Sequence, residues 1–446
     1  MRFSTSELAA QLGGELVGPD VSVEGANIDS RTLVPGQLYV PIVAERDGHE
    51  FIADALEAGA PAYLCSQEPR GATAIIVPDT AAALMRLGRV ARDRIDAGGV
   101  VGITGSVGKT TTKDLVHGCL ASSFRTSASE RSFNNELGLP LTLLNAPGDA
   151  QWVVLEMGAR GTGHIIRLAE VARPVVGIVT SVAMAHVEYF GDLDGVARAK
   201  GELVTALPAS GVAVLNLDDP RVAAMASRSP CPVVGYAVDG DAEVRAEGVA
   251  LDGELRPSFR LTTPWGKGDV QLALHGVQQV PNALAAAAAA LWCGVPFDGV
   301  ATALASVIGS PLRMEVHHVP GGPVLLVDCY NANPASTEAA LRSLAALGAR
   351  RKVALLGLMA ELGGETEAEH QHIARLAEEL GIEVVGYQTG LYGSAQVLGP
   401  DDAVACMQTV GPGGALLVKG SRVARLEDVA RAYGAATGVQ SLAADA

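Results

Sequence analysis

The chain's clearest chemistry lies in residues 102–112, GITGSVGKTTT, which follow the apolar pair Val100-Val101 and run into KDLVHGCL, a helix start. An apolar strand, a flexible turn and a helix N-terminus in that order cradle a phosphate chain. Glycines let backbone N–H groups close on the anion and the helix dipole favours it. Lys109 neutralises it, and Thr110 reaches a metal ion. Gly105, Ser106, Gly108 and Thr111 complete the cradle. Strict phosphate-loop spacing asks for glycine at position 103; Ile103 stands there, flanked by Gly102 and Gly105, so the loop is a variant. A nucleoside triphosphate is the ligand this pattern implies.

Further residues could act with such a loop. Glu156 ends the apolar run WVVLE, and a carboxylate at a strand's C-terminal edge suits Mg²⁺, a hard cation that takes oxygen donors. An ordinary acidic strand end is the other reading. His186, in SVAMAHVEYFG, follows the run VVGIVT and falls on the same crevice side, although a lone histidine is more often structural. Lys200 sits in the helical pattern GVARAKGELV, where a solvated lysine is the plain reading. Arg is this chain's habitual cation, with 27 Arg against 6 Lys, and Arg198 occupies the same helix. A neutral lysine amine can add CO₂ to form a carbamate, a new metal-binding carboxylate that Arg cannot supply. Residues 328–334, DCYNANP, follow the run VLLV and offer Asp and Asn groups for hydroxyl, amide or carboxylate partners, or simply build a turn. Ser30, Arg31, Asn134, Asn135, Arg313 and the run 419–422 are further polar clusters at loop positions.

These groups need a rigid frame. At 446 residues the chain exceeds one core, and 48% hydrophobic with 18% charged residues describes a well-buried globular protein. The spacing predicts a small α/β unit over residues 1–97, with runs LYVPIV, PAYLC and TAIIV. Short apolar strands alternate with helices over 98–311, pointing to a mostly parallel sheet covered on both faces, with β hairpins at 231–275 and an alanine-rich buried helix near 283–295. A second strand–helix series fills 312–446. The fold expected is therefore α/β in three domains: a small N-terminal unit, a central phosphate-loop domain and a C-terminal Rossmann-like domain. The net charge of −16 excludes an extended nucleic-acid or anionic-membrane surface, so an anionic substrate must be held locally. Six scattered cysteines without CxxC spacing imply reduced thiols. With no signal-peptide pattern and no apolar run long enough to span a bilayer, a cytoplasmic, monomeric protein is expected.

Taken in order, DSRTLVPGQLYVPI, GITGSVGKTTTKD, SFNNELGLPLTLL, LEMGARGTGHI, AHVEYFGDLDGVARAKGEL, LNLDD, VDCYNANPAS, GLMAELG and LLVKGSR resemble the Mur ligases nearly end to end. The resemblance implies an ATP-dependent amide ligase of peptidoglycan precursor synthesis. Within the family, the YNANP run points to the reaction joining D-Ala-D-Ala to UDP-MurNAc-tripeptide through an acyl phosphate. Carried over, Lys109 acts on the transferred phosphate, Thr110 and Glu156 hold Mg²⁺, and His186 with a carbamylated Lys200 serves a second metal. Asn282 contacts adenine, and Arg313 and Asp328 close on the ATP. Ser30 and Arg31 bind the UDP end, while Asn134, Asn135, Tyr330, Asn331 and Asn333 lie near the substrate. Val107 stands where the family usually has Asn, and Gln278-Gln279 where His-Asn is usual. A related ligase with another amine, of the polyglutamate or cyanophycin type, and a phosphate-loop phosphotransferase are the alternatives.

Overall fold

Short β-branched runs form the strands, and alanine- and leucine-rich stretches form the helices that cover them. The computed structural model describes residues 1–95, 98–130, 133–184, 187–439 and 442. His186 lies outside the described residues. Four sheets result: a two-stranded ribbon of Arg2–Ser4 with Ser22–Glu24, and one larger sheet in each domain. The N-terminal sheet has five strands, with Ala62–Cys65 and Thr73–Ile76 pairing in parallel at its centre. Nine strands form the central sheet and six the C-terminal one. Among the described residues no helix is long and apolar enough to cross a membrane.

In the central sheet Gly99–Thr104 lies between Trp152–Glu156 and Val176–Val179, all parallel. Every residue of Gly99–Thr104 and Trp152–Glu156 is buried, as expected when helices cover both faces of a parallel sheet. Lys109–Ala121 and Gln279–Trp292 pack together on one face. The uninterrupted alanines of the second helix are wholly buried, and their small size allows that close packing. Hairpins begin only at Val244–Leu251, which pairs antiparallel with Pro257–Thr263. Val233–Ala237, expected among the hairpins, instead extends the parallel sheet beside Val212–Asn216. The reason is local: the helical turns Pro220–Ala223 and Ala224–Arg228 return the chain to the same sheet edge, as a parallel connection requires.

The other face of the central sheet is covered partly from outside its own domain. Helix Thr80–Asp93 places Leu84 and Leu87 in one core with Leu139, Leu143, Ile165 and Leu168. The first two domains thus have separate sheets but a shared core. Gly88 makes the helix contact possible, because a Cβ there would lie 2.5 Å from Pro140 Cβ and 2.8 Å from Pro140 Cα.

Gly88→Ala therefore sets two effects against each other. The better helix propensity of alanine contributes about 1 kcal/mol. Overpacking against a backbone atom that cannot rotate away costs about 1–3 kcal/mol. We expect net destabilisation, seen as a lower urea midpoint; an unchanged or higher midpoint would contradict this packing.

Candidate active site

The site is assembled at the C-terminal ends of the parallel strands. The register places Glu156 opposite Ile103, two residues before the chain leaves the strand at Gly105 for the phosphate loop. Thr110 Oγ1 donates to Glu156 Oε2 at 2.7 Å, and Asn134 Nδ2 donates to Glu156 Oε1 at 2.9 Å. Glu156 is 2% exposed, so both carboxylate oxygens are aimed by these two partners. The loop is strapped to the next strand by backbone as well as side chains. Ser106 N donates to Ser181 O at 2.9 Å, and Thr180 Oγ1 donates to Val107 O at 2.6 Å. Val107 N donates to Ser181 Oγ at 3.1 Å, so position 107 contributes through its peptide group and leaves the side chain free to vary.

Lys109 Nζ folds back and donates to Gly105 O at 2.8 Å. Gly108 is left-handed at φ 86°, and a Cβ there would strike Asn282 Oδ1, so glycine is required on both counts. Asn282 is held in place on both sides: Thr112 Oγ1 donates to its Oδ1 at 3.3 Å, and its Nδ2 donates to Gln279 Oε1 at 2.9 Å. Gln278 Oε1 accepts from Ser343 Oγ at 3.2 Å, a link to the C-terminal domain. The Gln278-Gln279 pair thus supplies one amide to the C-terminal domain and one to Asn282.

Two lysines share this region. Burial pushes the Lys109 ammonium below its ordinary range, and Glu156 partly restores it. Lys200, 2% exposed on helix Leu193–Thr205, falls to about 7. Burial is the main cause and the Lys109 charge adds to it, while Glu156 and Glu202 oppose. The amine of Lys200 is consequently neutral for much of the time near neutral pH.

The facing wall comes from the C-terminal domain. Lys419 Nζ donates to Asp328 Oδ2 at 2.6 Å, Asn331 O at 3.0 Å and Asp328 O at 3.3 Å, which uses its three protons. Asp328 Oδ1 accepts from Met314 N at 3.2 Å. The Arg313 guanidinium lies 4.3 Å from the centre of the Tyr330 ring.

A cavity of about 530 Å³ joins these walls. Ser106, Gly108, Lys109, Thr110, Thr111, Asn134, Asn135, Glu156, Lys200, Asn282, Arg313, Asp328, Tyr330, Asn331 and Asn333 all line it. Gly105 lies just behind, as the acceptor for Lys109. Two of the asparagines are committed to helix ends. Asn333 caps Pro334–Ala346 in a reciprocal bond with Ser336, and Asn135 Oδ1 accepts from Leu137 N and Gly138 N. Ser30 and Arg31 are not in the cavity; Arg31 pairs with Asp29 on the N-terminal domain. Polar cavity residues that sequence reasoning missed include Glu136, Arg160, His164 and Ser336, while Lys419 entered only as the first residue of the polar cluster 419–422. For Lys419 a signal existed: it is one of six lysines in an arginine-rich chain and ends an apolar strand run.

The oxygen donors of Thr110 and Glu156 suit a hard divalent cation that keeps its remaining positions for water and phosphate. Among the described residues no three His, Cys, Asp or Glu side chains converge, as such a sparse, ligand-completed site allows.

Two family profiles match the chain: the Mur ligase middle domain over residues 103–290 and the Mur ligase glutamate ligase domain over 312–422. UDP-N-acetylmuramoyl-tripeptide–D-alanyl-D-alanine ligase of Mycobacterium tuberculosis is 37% identical over 97% of this chain and 98% of its own length. The crystal structure of MurF from Acinetobacter baumannii aligns with a TM-score of 0.89 at 27% identity, covering 97% of this chain and 99% of that one. MurF from Thermotoga maritima in complex with ADP aligns with a TM-score of 0.83 at 25% identity, covering 94% of this chain and 99% of that one.

Gly108→Ala tests the cradle directly. Left-handed strain on a non-glycine residue costs about 1–2 kcal/mol, and displacement of Asn282 adds to it. We expect ATP affinity to fall at least about tenfold in isothermal titration; unchanged affinity would show that the loop does not bind the nucleotide in this conformation.

Proposed function

Since the chain belongs to the Mur ligase family, we propose that it joins D-Ala-D-Ala to UDP-MurNAc-tripeptide at the expense of ATP, within peptidoglycan precursor synthesis. The observation that carries this reading is the meeting of Lys109, Thr110, Glu156 and Lys200 with Asp328, Tyr330 and Lys419 around one cavity. The first group handles phosphate and the second belongs to another domain, so a phosphorylated substrate and its attacker can be brought together there.

A carboxylate is a poor acyl donor, and its phosphorylation supplies a leaving group. ATP phosphates rest on the loop amides of residues 105–111, with the adenine toward Asn282 and Arg313 and Asp328 approaching from the C-terminal wall. Lys109 leaves Gly105 O and follows the transferring phosphoryl group, where a fixed ammonium stabilises developing charge. The terminal carboxylate of the tripeptide attacks the γ-phosphorus, and ADP leaves. The dipeptide amine then adds to the acyl phosphate carbon, loses its proton, and the C–O bond to phosphate breaks to give the amide. Both steps gain from a site that aligns the partners and holds off water. Thr110 and Glu156 would hold Mg²⁺, which when bound neutralises phosphate charge. Asn134 keeps the Glu156 carboxylate in place for that role. Lys200, as its carbamate, would add a carboxylate ligand for a second cation. Ser30 and Arg31 receive the UDP end on the N-terminal domain. A monomer suffices, because all of these groups come from one chain.

Phosphate release should require ATP, UDP-MurNAc-tripeptide and D-Ala-D-Ala together, with ligated product in equal amount. Release at the full rate without the dipeptide would overturn the reading in favour of a phosphotransferase. Lys200→Ala should lower kcat by roughly 100-fold or more, as loss of a transition-state electrostatic group does. Short-chain carboxylates in the assay should restore part of it, and full activity of the plain variant would rule out the carbamate.

A further inference from the structure

The C-terminal wall holds more positive charge than the phosphate chemistry uses. Tyr330, which lines the cavity, has two guanidinium groups about its ring: Arg313 at 4.3 Å and Arg422 at 5.6 Å from the ring centre. Two like charges beside one ring repel, and the arrangement is favourable only if anions serve both. Arg313 faces inward: it lines the same cavity as Lys109, and its charge is felt there. Its Nε is buried without a hydrogen-bond partner. Arg422 reaches the same ring from outside the cavity lining. It opens the short helix Arg422–Ala424 just after strand Ala415–Lys419, and its side chain is 61% exposed.

Arg422 is held but not used up. One nitrogen meets Glu427 Oε1 at 3.4 Å, a single long contact that leaves most of the guanidinium fork free. Lys419, three residues earlier at the strand end, is unavailable because its three protons are taken by Asp328 and Asn331. A dipeptide whose amine must reach the acyl phosphate carries a carboxylate at its other end. That charge has to be met on the C-terminal domain, away from the phosphates that repel it.

Resting on the ligase reading above, we propose that Arg422, set over Tyr330, binds the carboxylate of the dipeptide amine substrate and makes a free C-terminal carboxylate a condition of good turnover. The fork suits a carboxylate with two parallel N–H donors, which a lysine could not offer. Glu427, which meets one nitrogen of the fork, is the positioning residue. Arg313 remains with the nucleotide.

The test compares D-Ala-D-Ala with its C-terminal amide in the full-length enzyme, wild type against Arg422→Ala and Arg422→Gln, following phosphate release and product. The wild type should prefer the acid by about 10- to 100-fold in kcat/KM, the worth of a charge-assisted hydrogen bond pair. Both variants should raise KM for the acid by that factor, bring the acid-to-amide ratio close to one, and leave KM for ATP within about twofold. Gln keeps a polar side chain with part of the methylene stem but no charge, so it carries the test should Ala lower the unfolding midpoint. A preserved acid preference in the folded variants overturns the role of Arg422 while leaving the ligase intact. A wild type inert to both forms overturns the ligase reading itself, and the Arg422 assignment with it.

Discussion

One register supports the whole site: Trp152–Glu156 pairs in parallel with Gly99–Thr104 so that Glu156 stands opposite Ile103. Side chains alternate along a strand, so a slip of one residue would turn Glu156 to the other face of the sheet. In the register observed, the carboxylate emerges beside the loop that begins two residues later on the neighbouring strand. Thr110, the second residue of the helix that the loop feeds, then reaches it at 2.7 Å. Both strands are buried throughout, which makes slippage costly and the carboxylate's place secure.

That placement creates an electrostatic imbalance. Lys109 and Lys200 flank a single carboxylate in a region where burial penalises every charge. The protein lowers the penalty by weakening the proton affinity of both amines, most markedly at Lys200. A polyanion that enters the cavity reverses the balance at Lys109, since its phosphates favour the ammonium. The opposite wall is built differently: Lys419 and Asp328 neutralise each other and tie down residues 328–331. A net charge of −16 over the whole chain therefore coexists with a cationic focus where the anionic substrate must bind.

How legible this was depends on distance along the chain. The loop, with its strand and helix, is local, so residues 99–121 announced both fold and chemistry. Glu156 and Lys200 were legible because their residue types are unusual for their places: an acid ending an apolar run, and a lysine in an arginine-rich chain. Asn135 and Asn333 line the cavity, and the side-chain oxygen of each also closes a helix end, a second role that only the backbone N–H groups facing it reveal. Lys419 needed its partner Asp328, 91 residues earlier, to acquire meaning. The shared core of the first two domains was hidden for the same reason. Leu84 and Leu87 show which helix face is apolar, not which neighbouring domain covers it.

Domain position and site assembly are one constraint. The linker into the C-terminal domain holds Leu312 at φ 63° and Met314 at φ 54°, conformations that cost non-glycine residues about 1–2 kcal/mol each. Both are fixed by cavity-lining residues: Tyr330 N donates to Leu312 O at 3.1 Å, and Met314 N donates to Asp328 Oδ1 at 3.2 Å. At its start the linker is fastened to the phosphate-loop helix, where Asp114 Oδ2 accepts from Ser310 Oγ at 2.6 Å and Ser310 N at 3.0 Å. Asp114 lies five residues beyond Lys109 on that helix, and Asp328 is the partner of Lys419. The groups that would hold the nucleotide therefore also hold the strained joint about which the C-terminal wall is placed. Relaxing the linker would release Asp328 and Tyr330 from their positions, so binding energy at the phosphates is coupled to the placement of the wall that presents Arg422.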